Sequence, residues 1–80
     1  MSKADILKKL NDTFRLIFDD DNIRISESTS AYDIEDWDSL AHVRLIAAIE
    51  ADFGVSFSME DIIGFKSVGD IVIAVERCLK

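Results

Sequence analysis

The sequence predicts an all-α fold, a four-helix bundle with three main helices, a short third helix and a long loop between the first and second. Three observations carry that expectation. Proline is absent and glycine occurs only at Gly54, Gly64 and Gly69, which disfavours a turn-rich β fold. Apolar residues recur at helical spacing in separate stretches of the chain. Hydrophobic residues make up 49% of the sequence, enough for a packed core. Eighty residues hold one domain, taken as 1–80.

Each element has its own local signal. Ser2 followed by Asp5 reads as a capping box with Asp in the Glu place. Leu7, Leu10, Phe14 and Ile17 follow at helical spacing, broadened by Ile6 and Phe18, so α1 is expected over residues 3–18. Residues 19–37 are rich in Asp and Ser and keep no period. They form a long loop, expected to be anchored by Ile23, Ile25, Tyr32, Ile34 and Trp37. Loops this long in small domains usually have a task.

Asp38 or Ser39 opens α2, which runs to Asp52 or Phe53 with Gly54 as its C-terminal stop. Leu45, Ile46, Ile49 and Phe53 make its core face. Leu40, Val43 and Ala47 fall on a second face that is left partly exposed. Ser58 caps a short α3 from Met59 to Ile63, ended by Gly64. Ser67 is expected to cap α4 over residues 68–79, with Val68, Ile71, Val72, Val75 and Leu79 turned inward.

Charge narrows the function classes. The net charge is −7, but residues 19–61 hold twelve carboxylates against Arg24 and Arg44, a net −10. Such a surface repels nucleic acid and attracts basic protein patches. The N-terminus lacks the apolar block of a signal peptide, and no apolar run reaches membrane-spanning length, so a cytoplasmic chain away from the membrane is expected. The single cysteine, Cys78, excludes an internal disulfide and a cysteine-based zinc cluster. Stability of about 4–12 kcal/mol leaves little for a deep, preorganised catalytic cleft, so a binding or carrier module is favoured over an enzyme.

The informative segment is Asp36-Trp37-Asp38-Ser39-Leu40, a serine at the mouth of a helix after an acidic loop. Here the sequence resembles the acyl carrier protein family, whose attachment signature is Asp-Ser-Leu at the start of the second helix. The likeness extends over nearly the whole chain, through the long loop, the end of α2 at Ile49-Glu50-Ala51-Asp52-Phe53, the short α3 and the amphipathic α4. The resemblance implies a four-helix bundle of acyl-carrier type. It also implies that Ser39 receives 4′-phosphopantetheine from coenzyme A through a phosphopantetheinyl transferase using magnesium. The chain would then be a phosphoprotein that carries acyl groups as thioesters for fatty acid, lipid or specialised biosynthesis. It would be a monomeric, non-catalytic carrier, a substrate of the transferase, with acyl-loading and acyl-processing enzymes that bear basic patches as its other partners. Asp38 matches the aspartate that helps the transferase engage. Leu40, Val43, Arg44, Ala47 and Glu50 are the candidate partner-recognition residues.

Other chemistry is weaker. His42, three residues after Ser39, could serve it as a base, but no third residue is visibly placed to orient the ring. A solvated surface histidine is the simpler expectation. Asp19-Asp20-Asp21-Asn22 fails the calcium-loop spacing, since Ile23 and Arg24 fall where a ligand and a glycine belong. No metal site is expected. Cys78 reads as packing or surface.

The chain departs from the family in two places. Ala41, His42 and Arg44 stand where fatty-acid-synthesis members usually carry acids along α2, and Trp37 replaces a smaller residue before the signature. Both features point to a specialised carrier. Two alternatives stay open: an aminoacyl or peptidyl carrier on the same arm, although its usual Gly-Gly-His/Asp-Ser signature is absent, and an unmodified acidic helical interaction module.

Overall fold

Helical signals in the sequence become four helices: α1 Lys3–Phe18, α2 Ser39–Phe53, α3 Met59–Gly64 and α4 Val68–Leu79. The computed structural model describes residues 1–79. The capping box at the start of α1 is present in both directions. Ser2 Oγ accepts from Asp5 N–H at 3.1 Å, and Asp5 Oδ2 accepts from Ser2 N–H at 3.3 Å. Ser58 and Asp61 form the same box on α3. Gly54 closes α2 at φ 65°, a left-handed conformation in which glycine meets no Cβ penalty.

The start of α4 differs from expectation. The Ser67 hydroxyl does not cap the helix, because the amides it would serve are already taken. Gly69 N–H donates to the Glu27 carbonyl at 2.8 Å, and Asp70 N–H donates to the Ser67 carbonyl at 3.1 Å. Val68 N–H donates to the Thr29 carbonyl at 2.8 Å. The carboxylate of Asp70 reaches back to accept from Lys66 N–H at 2.9 Å and Ser67 N–H at 3.1 Å. The long loop thus does the work assigned to a serine, and an isolated antiparallel bridge between Ser30 and Ser67 extends the same junction.

α1 packs against both α2 and α4. Its Ile6, Leu10 and Phe14 lose all solvent exposure, as do Leu45 and Ile49 of α2 and Val68, Ile71, Val72 and Val75 of α4. Each such side chain is worth about 1.5–3 kcal/mol of transfer free energy, so this three-helix interface dominates stability. Leu79 does not join it and is 42% exposed. Arg77 and Cys78 are exposed too, so the last turn of α4 runs past the packed interior.

The loop between α1 and α2 is fastened rather than free. Asn11 Oδ1 accepts from Ile25 N–H at 2.8 Å, and Arg15 Nε donates to the Ile23 carbonyl at 2.7 Å. Ile25 and Trp37 are buried, with Ile23 and Ile34 packed on the core edge. Tyr32 is the exception to the expected anchors and is fully exposed. Ser30 N–H donates to Asp33 Oδ2 at 2.8 Å, closing a turn whose tip holds Tyr32 outward. Among the described residues, no helix is long and apolar enough to cross a membrane.

Candidate attachment site

Asp38, not Ser39, is the N-cap of α2. Its backbone is extended, at φ −104° and ψ −172°, and its Oδ1 accepts from Ala41 N–H at 2.8 Å. Substituting such a cap by alanine costs about 0.5–2 kcal/mol. Ser39 takes the first helical position, and its side chain is exposed. A capping serine would have its hydroxyl occupied by a backbone amide; here the neighbour has that duty and the Ser39 hydroxyl is left for other chemistry. The structural role thus falls to Asp38 and leaves the Ser39 side chain uncommitted to the cap.

Ser39 opens onto a cleft of about 390 Å³ lined by Ala31, Trp37, Asp38, Ser39, His42, Ile62, Ile63 and Phe65. Its walls come from the end of the loop, the first turn of α2, α3 and the link to α4. Its lining combines the polar Ser39, Asp38 and His42 with the apolar Ala31, Trp37, Ile62, Ile63 and Phe65. An exposed hydroxyl in a cleft with apolar lining suits a covalently attached group with a polar phosphodiester root and a less polar body. A helix N-terminus also favours an anion by about 0.3–1 kcal/mol. The nearby acids Asp36 and Asp38 oppose this, so a phosphate would be held by its covalent bond rather than by affinity.

His42 is not the solvated histidine expected from the sequence. Its side chain is half-buried, with Nδ1 3.0 Å from Trp37 Nε1 and Nε2 3.1 Å from the Ile62 carbonyl oxygen. Both ring nitrogens are engaged away from Ser39, so the ring is not arranged as its base. Helical spacing alone put His42 on an outer face. It could not show that α3 and the loop close over that face. The only local hint was an aromatic donor, Trp37, five residues upstream.

The second face of α2 is as exposed as its spacing predicts. Leu40 is 72% and Val43 64% exposed, and Ala47 lies open beyond them. Arg44 is exposed in the same stretch and borders a shallow depression shared with Asp36, Asp38 and Leu40. Ile63 of α3, 72% exposed, adds apolar surface on the far side of the cleft. Glu50 is placed differently. It is half-buried, and its Oε2 accepts from Phe57 N–H at 2.8 Å, tying α2 to the segment before α3.

Only two ion pairs occur among the described residues, Arg15–Asp12 at 3.5 Å and Arg77–Asp61 at 3.0 Å. Of the acids between positions 19 and 61, Asp61 alone has an ion-pair partner among the described residues. Hydrogen bonding to Ser58, and then to the Arg77 guanidinium, holds the Asp61 carboxyl below the usual range. The corresponding bonds to Ser2 lower Asp5.

Residues 8–75 match the family model described as the phosphopantetheine attachment site. Among solved structures, eleven chains match significantly. One is the solution NMR structure of a holo acyl carrier protein from Geobacter metallireducens, 39% identical. That match covers 92% of this chain and 85% of the other, with a TM-score of 0.87. No curated protein matches the chain significantly.

Proposed function

Since the chain belongs to the acyl carrier protein family and its cofactor is covalently bound phosphopantetheine, we propose that the arm is attached at Ser39 and carries acyl groups between enzymes of a specialised biosynthetic route. The observation that carries the assignment is the division of labour at the head of α2. Asp38 caps the helix, and Ser39 stands exposed beside the cleft with its hydroxyl free of that task. When attached, the arm supplies a terminal thiol that holds acyl groups as thioesters. The protein's own residues orient the attachment point and present a surface to partners; the bond-making belongs to the enzymes that load and process the cargo.

Leu40, Val43 and Ala47 form the apolar strip on which partners dock in this reading, with Asp38 beside it engaging the transferase. Arg44 supplies the charge that discriminates between partners. Opposite charges speed encounter and like charges penalise it, so an arginine here selects against enzymes built for a uniformly acidic helix. Glu50 serves indirectly, by fixing the end of α2 against Phe57. The transferase, the loading enzyme and the processing enzymes are the partners, and the carrier works as a cytoplasmic monomer without catalysis of its own.

The test loads the holo chain with two classes of activating enzyme, one forming acyl thioesters and one transferring aminoacyl groups. Acyl loading visible by intact mass, with aminoacyl loading absent, is the expected result. The reverse pattern would reassign the chain to aminoacyl transport.

A further inference from the structure

We infer that His42 is a positioning residue whose neutral imidazole latches Trp37 of the loop to Ile62 of α3 beside the Ser39 cleft, and that protonation of His42 opens the latch at Trp37. The inference rests on the geometry of the cleft walls and does not require the carrier reading.

The chemistry of the two partners fixes the tautomer. An indole Nε1–H can only donate, and it lies 3.0 Å from His42 Nδ1, so Nδ1 must present a lone pair. The ring proton of the neutral form then sits on Nε2, 3.1 Å from the Ile62 carbonyl oxygen, which can only accept. One neutral ring thereby joins residues 25 positions apart in the chain. Aromatic packing holds it in place. Trp37 lies nearly coplanar with the imidazole, at 23° between planes and 6.0 Å between centroids, as a hydrogen bond between two ring edges requires. Phe65 meets the imidazole edge-on at 6.4 Å between centroids. Trp37 in turn abuts Phe14 of the core at 5.3 Å, so the latch is continuous with the main helix interface.

Protonation changes one end only. A proton on Nδ1 places two N–H groups against each other at Trp37, and that hydrogen bond cannot survive. The bond from Nε2–H to Ile62 persists and gains from the charge. The imidazolium then faces the N–H edge of the indole, where the ring quadrupole is positive, so no cation–π attraction replaces the lost bond. Trp37 is therefore released while α3 is retained. Since Trp37 and His42 both line the cleft that holds Ser39, the cleft changes shape.

The charged surroundings do not replace the histidine as the responsive group. On the loop side and at the head of α2 stand Asp36 and Asp38, the latter committed to Ala41 N–H. Arg44 of α2 borders the depression on the Ile17 and Phe18 side. On α3, Asp61 is held by Ser58 and Arg77. Lys66 of the link to α4 shares a separate hollow with Trp37 and Phe65.

The chain has one tryptophan and one histidine, so each reports without ambiguity. The full chain, labelled with nitrogen-15, is titrated from about pH 8 to pH 5, the range over which histidine changes charge. The indole N–H resonance, Trp37 emission and the His42 ring-carbon protons are followed together. Wild type should show an indole resonance and a red-shifting emission that move on one single-proton curve, in step with His42. His42→Gln keeps a carbonyl acceptor for the indole but does not titrate, so its signals should stay flat and resemble wild type at pH 8. His42→Phe, with no acceptor, should resemble acidified wild type throughout. A wild-type Trp37 signal that stays flat down to pH 5 overturns the latch. So does a His42→Gln chain that keeps the wild-type transition. Either result would leave the assignment of Ser39 untouched.

Discussion

The amide of Gly69, in the first turn of α4, donates to the carbonyl of Glu27 in the long loop at 2.8 Å, across 42 positions of sequence. A Cβ placed on Gly69 would lie 2.9 Å from that same oxygen. Close approach of two backbones thus explains a glycine in a helix, where it is otherwise unfavourable by about 1 kcal/mol against alanine.

Two effects of opposite sign meet in Gly69→Ala. Helix propensity alone predicts a gain, whereas forcing the loop away costs about 1–3 kcal/mol and strains the hydrogen bond. The clash is with a backbone atom that cannot rotate aside, so destabilisation should win. A drop of about 4–8 °C in Tm for each net kcal/mol is the expected reading. An unchanged or raised Tm would show that the loop yields freely.

That junction also marks the limit of what sequence patterns revealed. The boundaries of α1 and α2 and the start of α3 were legible because their causes are local: Ser2 with Asp5, Gly54, and Ser58 with Asp61. α3 itself runs through Gly64 to a cap at Phe65, one residue past the expected stop. The exposed strip of Leu40, Val43 and Ala47 followed from helical spacing. The pins from Thr29 and Glu27 to α4 leave no such trace, since backbone carbonyls have no sequence signature and the partners are far apart in the chain. For the same reason a serine cap was expected at Ser67. The half-burial of His42 depends on where α3 lies, which helical spacing does not show. At Ser39 the motif singles out the residue proposed to carry the arm, and the structure adds that Asp38, not Ser39, caps the helix.

Acid should weaken the fold partly through Asp61. Its folded-state carboxyl titrates below the unfolded value, so the ionised form stabilises the fold at neutral pH. That contribution is lost as pH falls through the lowered folded value. Asp61→Asn should therefore reduce Tm near pH 7, and the deficit should shrink at a pH well under about 4, where unfolded aspartate is protonated. A deficit of constant size across that range would assign the effect to packing instead of charge.

Salt should act in the opposite direction. Residues 19–61 carry a net −10, and of their acids only Asp61 has an ion-pair partner among the described residues. Unpaired like charges repel, and the Debye length shrinks from about 30 Å at 0.01 M to about 8 Å at 0.15 M. Tm near neutral pH should rise over that interval, and further with a divalent cation. A flat profile would mean the acids lie too far apart to matter.

Partner choice should respond to Arg44. The residue is exposed beside Leu40 and is in neither ion pair among the described residues. Arg44→Glu should improve loading or elongation by enzymes of general fatty acid synthesis. The comparison belongs on holo protein at low ionic strength, because salt screens surface charge. Equal rates for the two chains would remove Arg44 from the specificity surface.

Attachment at Ser39 is tested most directly by intact mass after incubation with a phosphopantetheinyl transferase, magnesium and coenzyme A. Wild type should gain the mass of one phosphopantetheine. Ser39→Ala should gain nothing, yet keep its helical circular dichroism and a Tm close to wild type, because Asp38 holds the cap and exposed substitutions usually shift stability by no more than about 0.5 kcal/mol. A wild-type chain that stays unmodified, or a Ser39→Ala chain that still gains the arm, would contradict the assignment.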